Sequence, residues 1–257
     1  MDFLLWAVFP YLCVLILIVG LVWRYRFDKF GWTTRSSQVY ESSLLKFASP
    51  LFHYSLIAVI IGHAIGLFIP KAFTDQIGIS QETYHLFAAY GGSAAGIGAS
   101  IGLVLLIWRR RSNQAVFRAT TANDKIMFLL LAAGLGTGFW AILSSGETAT
   151  GDIHNYRETV SVWFRSLFVL QPDVEAMSGA PISFWVHVAV GLLLTAAMPF
   201  TRLIHAFSAP IQYLFRPYIV YRSRDSRDAP SRTVRGRGWE PITRKYSEKT
   251  KPSRSEL

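Results

Sequence analysis

Charge is scarce in this sequence. Of its 257 residues only 16% are Asp, Glu, Lys or Arg, while 51% are hydrophobic. Soluble domains carry about 25% charged residues, so the composition points to an integral membrane protein in contact with lipid. Cysteine is scarcer still. The single Cys13 excludes a disulfide within the chain, a C-x-x-C-H haem attachment and an iron–sulfur cluster held by several thiolates of this chain. Acidic residues are in deficit, 16 against 26 Lys and Arg, for a net charge of +10. This excess does not point to nucleic acid. The basic residues gather in loops between apolar runs and in the tail, as membrane topology requires. The first apolar run lacks a basic leader and ends at Trp23-Arg24 without a small-residue cleavage site, so it reads as a retained span rather than a signal peptide.

What is present is a set of long apolar runs. A membrane helix needs about 20 apolar residues, and five stretches qualify: Phe3–Trp23, Phe47–Ile69, His85–Trp108, Ile126–Leu143 and Ile182–Phe207. The fold class expected is all-α, a bundle of five transmembrane helices. A sixth run, Val160–Leu170, contains Arg165 and is too short to span, so an interfacial helix is expected there. The loops Arg24–Lys46 and Arg109–Lys125 hold five Lys or Arg each, and the tail from Ser208 holds twelve. The segment Pro70–Tyr84 has only Lys71, and Ser144–Pro181 sets Arg157 and Arg165 against five acidic residues. Positive loops remain cytoplasmic, which puts the N-terminus outside and the C-terminus inside. Residues 1–222 form the expected membrane domain. Residues 223–257 are a basic cytoplasmic tail, too poor in apolar residues to order itself without a partner. Span three carries the pairs Gly92/Gly96 and Gly98/Gly102. Such small-residue faces either let helices approach closely or leave room for a flat ring.

Four histidines lie in these runs: His53 and His63 on the second, His187 and His205 on the fifth. Polar imidazoles inside a membrane mark functional sites by default. The two spans run antiparallel, so His53 pairs with His205 near the cytoplasm and His63 with His187 near the outside. Two pairs at two depths match two haem groups, each held between two histidines. They do not make a compact zinc or di-iron cluster. One discrepancy needs a structural answer. His53 and His63 are ten residues apart, about 15 Å of helix, whereas His187 and His205 are eighteen apart, about 27 Å. Tilt, side-chain lean and bending near Pro199 are expected to absorb the difference. His85 opens span three near the outer face, and His154, in a long loop, is assigned no role.

The residues also carry a resemblance. W-x-x-x-S-S-Q at Trp32–Gln38, L-F-H at Leu51–His53, G-H-x-x-G at Gly62–Gly66, R-A-T-T at Arg118–Thr121 and R-L-I-H-x-x-S-x-P at Arg202–Pro210 resemble the gamma subunit of respiratory nitrate reductase, a dihaem cytochrome b of the inner (cytoplasmic) membrane. The likeness covers about residues 3–222. It implies two haem b, a proximal one held by His53 and His205 and a distal one held by His63 and His187. It further implies quinol oxidation beside the distal haem and electron transfer to an iron–sulfur beta subunit and a molybdenum-containing alpha subunit. His85 stands where similar proteins carry lysine, and is the expected quinol-site residue, since an imidazole can take a quinol proton near neutral pH. Two other readings share parts of the pattern: the dihaem subunit of a sulfite- or disulfide-linked reductase, and a non-redox membrane protein.

Overall fold

The computed structural model describes residues 2–33, 36–144 and 154–208. The expected tail, 223–257, lies outside them. Among the described residues there are helices and no strand. After a π turn at Leu4–Val8 the helices are α1 (Phe9–Phe27), α2 (Leu45–Phe68), α3 (Lys71–Gln76), α4 (Gln81–Ser112), α5 (Gln114–Arg118), α6 (Ala122–Ser144), α7 (Val160–Phe168), α8 (Val174–Ser178) and α9 (Ile182–Ala197). Five are long and apolar enough to cross a membrane: Leu4–Phe27, Leu45–Phe68, Gln81–Ser112, Ala122–Ser144 and Ile182–Phe200. They are apolar around most of their circumference, the pattern of helices meeting lipid rather than water. Leu15, Ile60 and Leu129 point outward at 56%, 58% and 69% exposure. The short run expected to lie at the interface forms the nine-residue α7.

The bundle is assembled from close pairs. α2 packs along α4, α9 along α6, α4 on α6, and α1 on α9. The α2–α4 crossing explains half of the glycine pattern. A Cβ at Gly102 would lie 2.7 Å from both Cα and N of Phe52, while nothing lies within 4 Å of one at Gly91 or Gly92. Gly102 therefore serves close packing, and Gly91 and Gly92 border open space.

Each end of the bundle has its own core and its own polar clasps. At one end Trp6, Val160, Trp163, Met177 and Ala180 are buried together, and the Trp163 indole donates to the Trp6 carbonyl at 2.8 Å. Here α7 and the segment before it cap the last carbonyls of α2. Ser161 donates to Gly66 O at 3.0 Å, Arg165 to Leu67 O at 3.0 Å, and Arg157 to Ile69 O at 3.4 Å. These carbonyls have no partner within the helix, and cationic donors suit its negative end. At the other end Phe52, Leu103, Met127 and Leu131 are buried. Arg109, 2% exposed, donates to the Ser37 hydroxyl at 2.8 Å, the Ser37 carbonyl at 2.9 Å and the Glu41 carboxylate. That clasp ties the α1–α2 loop to the end of α4. The Leu44 backbone N–H, aided by Arg109, holds the Glu41 carboxyl below the usual range. Thr121 and Asp124 cap α6 reciprocally, and Asp124 also pairs with Arg202.

The fifth span departs from the expected continuous helix Ile182–Phe207. α9 stops at Ala197. A 3₁₀ turn, Met198–Phe200, carries Pro199 at its start. Thr201 is extended, with φ −116° and ψ −179°, and a second 3₁₀ segment, Arg202–Ser208, follows. Proline cannot extend the helical hydrogen bonding, so the chain turns. This break resolves the mismatch of 15 against 27 Å, because His187 and His205 do not share one straight helix.

Candidate functional site: two facing histidine pairs

Two pairs of imidazoles face each other across the space between α2 and the fifth span. His63 Nε2 and His187 Nε2 are 3.5 Å apart, with ring centroids 5.8 Å apart and planes inclined by 39°. His53 and His205 have centroids 6.0 Å apart and planes inclined by 65°. These are the partners expected from antiparallel spans. α2 and α9 are not among the closely packed helix pairs, and the imidazoles reach across the interval between them.

The other nitrogen of each ring is already engaged. Each Nδ1 lies at hydrogen-bond distance from an oxygen: Ser49 O at 2.7 Å for His53, Val59 O at 2.8 Å for His63, Thr137 Oγ1 at 3.1 Å for His187, and Arg202 O at 2.5 Å for His205. A carbonyl can only accept, so His53, His63 and His205 carry their proton on Nδ1. The Thr137 hydroxyl is 2.7 Å from Ala133 O. With its proton donated there, it accepts from His187. All four Nε2 lone pairs are then free for a metal, and the Nδ1 bonds are the outer support that metal-bound histidines ordinarily have.

The donor set fits a haem iron. A metal–imidazole bond is about 2.0–2.1 Å, so an ion between two opposed rings needs about 4 Å between nitrogens. The His63–His187 gap is close to that. His53 and His63 are exposed residues on an apolar helix, and a polar ring facing lipid there needs a partner. A Cβ at Gly138 would come within 3.2 Å of His187 Cε1, so glycine there leaves the ring its space. Among the described residues no three His, Cys, Asp or Glu converge as a metal cluster.

The sequence matches the family described as nitrate reductase gamma subunit over residues 2–224. The chain belongs to that family. It is 38% identical to the nitrate reductase gamma chain of Bacillus subtilis over 225 residues, 86% of this chain and 98% of that one. It is 28% identical to the respiratory nitrate reductase 1 gamma chain of Escherichia coli over 218 residues, 84% and 95% of the two chains. It is also 54% identical over 239 residues to the nitrate reductase-like protein NarX of Mycobacterium tuberculosis, covering 93% of this chain but only 36% of NarX. The chain thus spans about a third of NarX and nearly the whole of the two gamma chains.

The other two histidines of this gamma-type chain belong to neither facing pair. His85 is half-buried on the second turn of α4, but hydrogen bonds and ring contacts do not join it to the His63–His187 pair among the described residues. Its neighbour Tyr84 places its hydroxyl 3.2 Å from that of Tyr156. His154, given no role, packs its ring 5.3 Å from Phe184 and bonds the Thr159 hydroxyl at 3.1 Å. Burial holds its pKa below the ordinary value. The roles of Thr137, Tyr84 and Tyr156 escaped the sequence reading, and Arg157 entered it only as a loop charge. Each is a lone polar residue whose meaning depends on a neighbouring helix, so spacing carries no signal of it.

Proposed function

We propose that this chain is the quinol-oxidising, two-haem membrane subunit of a nitrate reductase. It would lie in the cytoplasmic membrane with its N-terminus outside, and pass electrons to an iron–sulfur subunit and onward to a molybdenum subunit that reduces nitrate. One observation carries the reading: four imidazoles form two facing pairs, each with Nδ1 engaged and Nε2 open. Bound haem supplies iron that changes oxidation state by one electron at two positions along the bundle.

The chain's own residues do the rest. His53 and His205 hold the inner, proximal group, and His63 and His187 the outer, distal one. Ser49, Val59, Thr137 and Arg202 orient the four rings. The basic loops supply the orientation argument. Ser37 and Glu41, bound to Arg109, fix part of the side that would meet a soluble partner. The tail 223–257 carries further basic charge. His85 is the proposed acceptor of a quinol hydroxyl proton at the outer end, and among the described residues no hydrogen bond occupies its ring. Releasing protons outside while electrons move inward separates charge without a pump.

The test is pyridine haemochrome analysis and a reduced-minus-oxidised spectrum of the full chain. Two non-covalent b-type haems per chain are expected. His63→Ala and His187→Ala should lose the same haem, and His53→Ala and His205→Ala should lose or disturb the other. One haem per chain, or a shared loss between His63 and His205 variants, would overturn the assignment. In His85→Leu, retained haems with lost quinol-driven reduction would support the quinol role, and unchanged kinetics would remove it.

A further inference from the structure

A buried cation that pairs with no carboxylate among the described residues lies beside the His63–His187 end. Arg157 is 1% exposed, and all of its hydrogen-bond partners are neutral: Gln81 Oε1 at 3.3 Å, Ile69 O at 3.4 Å and Thr74 Oγ1 at 3.0 Å. Its guanidinium sits 3.9 Å above the Tyr84 ring. Its Nε is buried without any partner. The adjacent Glu158 is committed to Lys71 at 2.7 Å, and no carboxylate pairs with Arg157 among the described residues. Capping α2 through one 3.4 Å bond offsets little of the cost of burying a charge.

The residue before it shows what this cation faces. Tyr156 closes the interval between α2 and α9 next to the histidine pair. Its hydroxyl would be 2.6 Å from a Cβ at Gly66, one turn beyond His63. Its ring stacks on Phe184, one turn before His187, with centroids 6.3 Å apart and planes 19° apart. Burial first, then the bond to Tyr84, pushes the Tyr156 phenol above its ordinary range, so it stays a neutral donor. A guanidinium N–H in need of an acceptor and two phenols thus meet at the edge of the space between His63 and His187. Among the described residues the other charged groups nearby are Arg165, the Lys71–Glu158 pair and Asp75.

We propose that Arg157 and the Tyr84–Tyr156 hydroxyl pair receive a carboxylate of the haem held between His63 and His187. This rests on the haem assignment above. A haem b carries two carboxylates on one edge, and a charge-assisted bond to arginine would satisfy Nε, balance the buried cation and keep that carboxylate ionised in both oxidation states of the iron.

The test is a spectroelectrochemical titration of both haems in the full membrane-embedded chain across the near-neutral pH range. Arg157→Gln should make the potential of the His63–His187 haem fall with rising pH. The limiting slope is one proton per electron, a tenfold change per pH unit or about 59 mV. The other haem should be unaffected. Arg157→Lys should restore most of the flat profile. Should Arg157→Gln fail to accumulate, Tyr156→Phe keeps the ring and loses a donor, and is expected to show the same change at smaller amplitude. A potential and pH profile like the parent's, whether Arg157→Gln shows only a lower melting temperature or Tyr156→Phe is silent, would reduce Arg157 to a cap of α2 and overturn the proposal. So would a profile that responds to added chloride, which would mark a free anion. A parent chain lacking a second haem would instead defeat the haem assignment itself.

Discussion

Gly102→Ala adds one methyl group where α4 meets the backbone of α2, and the contact sets its consequence. The new Cβ would sit 2.7 Å from Phe52 Cα and N and 2.8 Å from Phe52 Cβ. Non-bonded carbons settle at about 3.5–4.0 Å, so α2 and α4 must separate locally by roughly 1 Å. Two of the three atoms are backbone, so a rotamer change cannot relieve the clash and the helix itself has to move. Overpacking of this kind costs about 1–3 kcal/mol. At about 2–4 °C per kcal/mol, melting should fall by several degrees. The neighbour of Phe52 is His53, and metal-site geometry tolerates only about 0.5 Å of displacement. The haem assigned to His53 and His205 should therefore be lost or weakened before the one assigned to His63 and His187. Gly92→Ala is the control, since nothing lies within 4 Å of its Cβ; it should be neutral or gain up to about 1 kcal/mol of helix propensity. Melting curves and haem spectra of the two variants in detergent decide the matter. Identical behaviour would refute the packing argument.

Two further outcomes follow from the site. Thr137→Val removes the oxygen facing His187 Nδ1. Leaving that ring N–H unsatisfied should cost about 1–3 kcal/mol and shift the potential of the His63–His187 haem alone, as read by redox titration. His154 has a folded pKa held below its unfolded value of about 6.5 by burial. Its neutral ring therefore contributes stability that is complete above that pH and is lost as pH falls through it. Hydrogen exchange in residues 154–168 should speed up on acidification, and His154→Gln should flatten that dependence.

The spans and the pairing were legible because both depend on long-range regularities of the chain. A run of 20 apolar residues has few alternatives, and two histidines on each of two antiparallel runs pair in only one order. Span ends were less so. α1 continues four residues past Trp23 because Arg24 reaches the Pro199 carbonyl at 2.8 Å and also Asp28, which satisfies a charge that composition alone would place outside. α4 runs from Gln81 to Ser112 because Ser80 caps one end and Arg109 is neutralised at the other. In span three, composition could not separate Gly102, which touches Phe52, from Gly92, which touches nothing. The Tyr84, Tyr156 and Arg157 cluster was invisible for a stronger reason. Its members come from α4 and the segment before α7, and only the fold brings them to the edge of the His63–His187 interval.

The break after Ala197 hangs the two histidine pairs on separate stretches of backbone. His187 belongs to α9, which packs along α6. His205 lies beyond Thr201, on the segment that Arg202 ties to Asp124 and whose Arg202 carbonyl faces its ring. Each pair therefore has its own anchor, and a displacement at one end of the bundle need not reach the other.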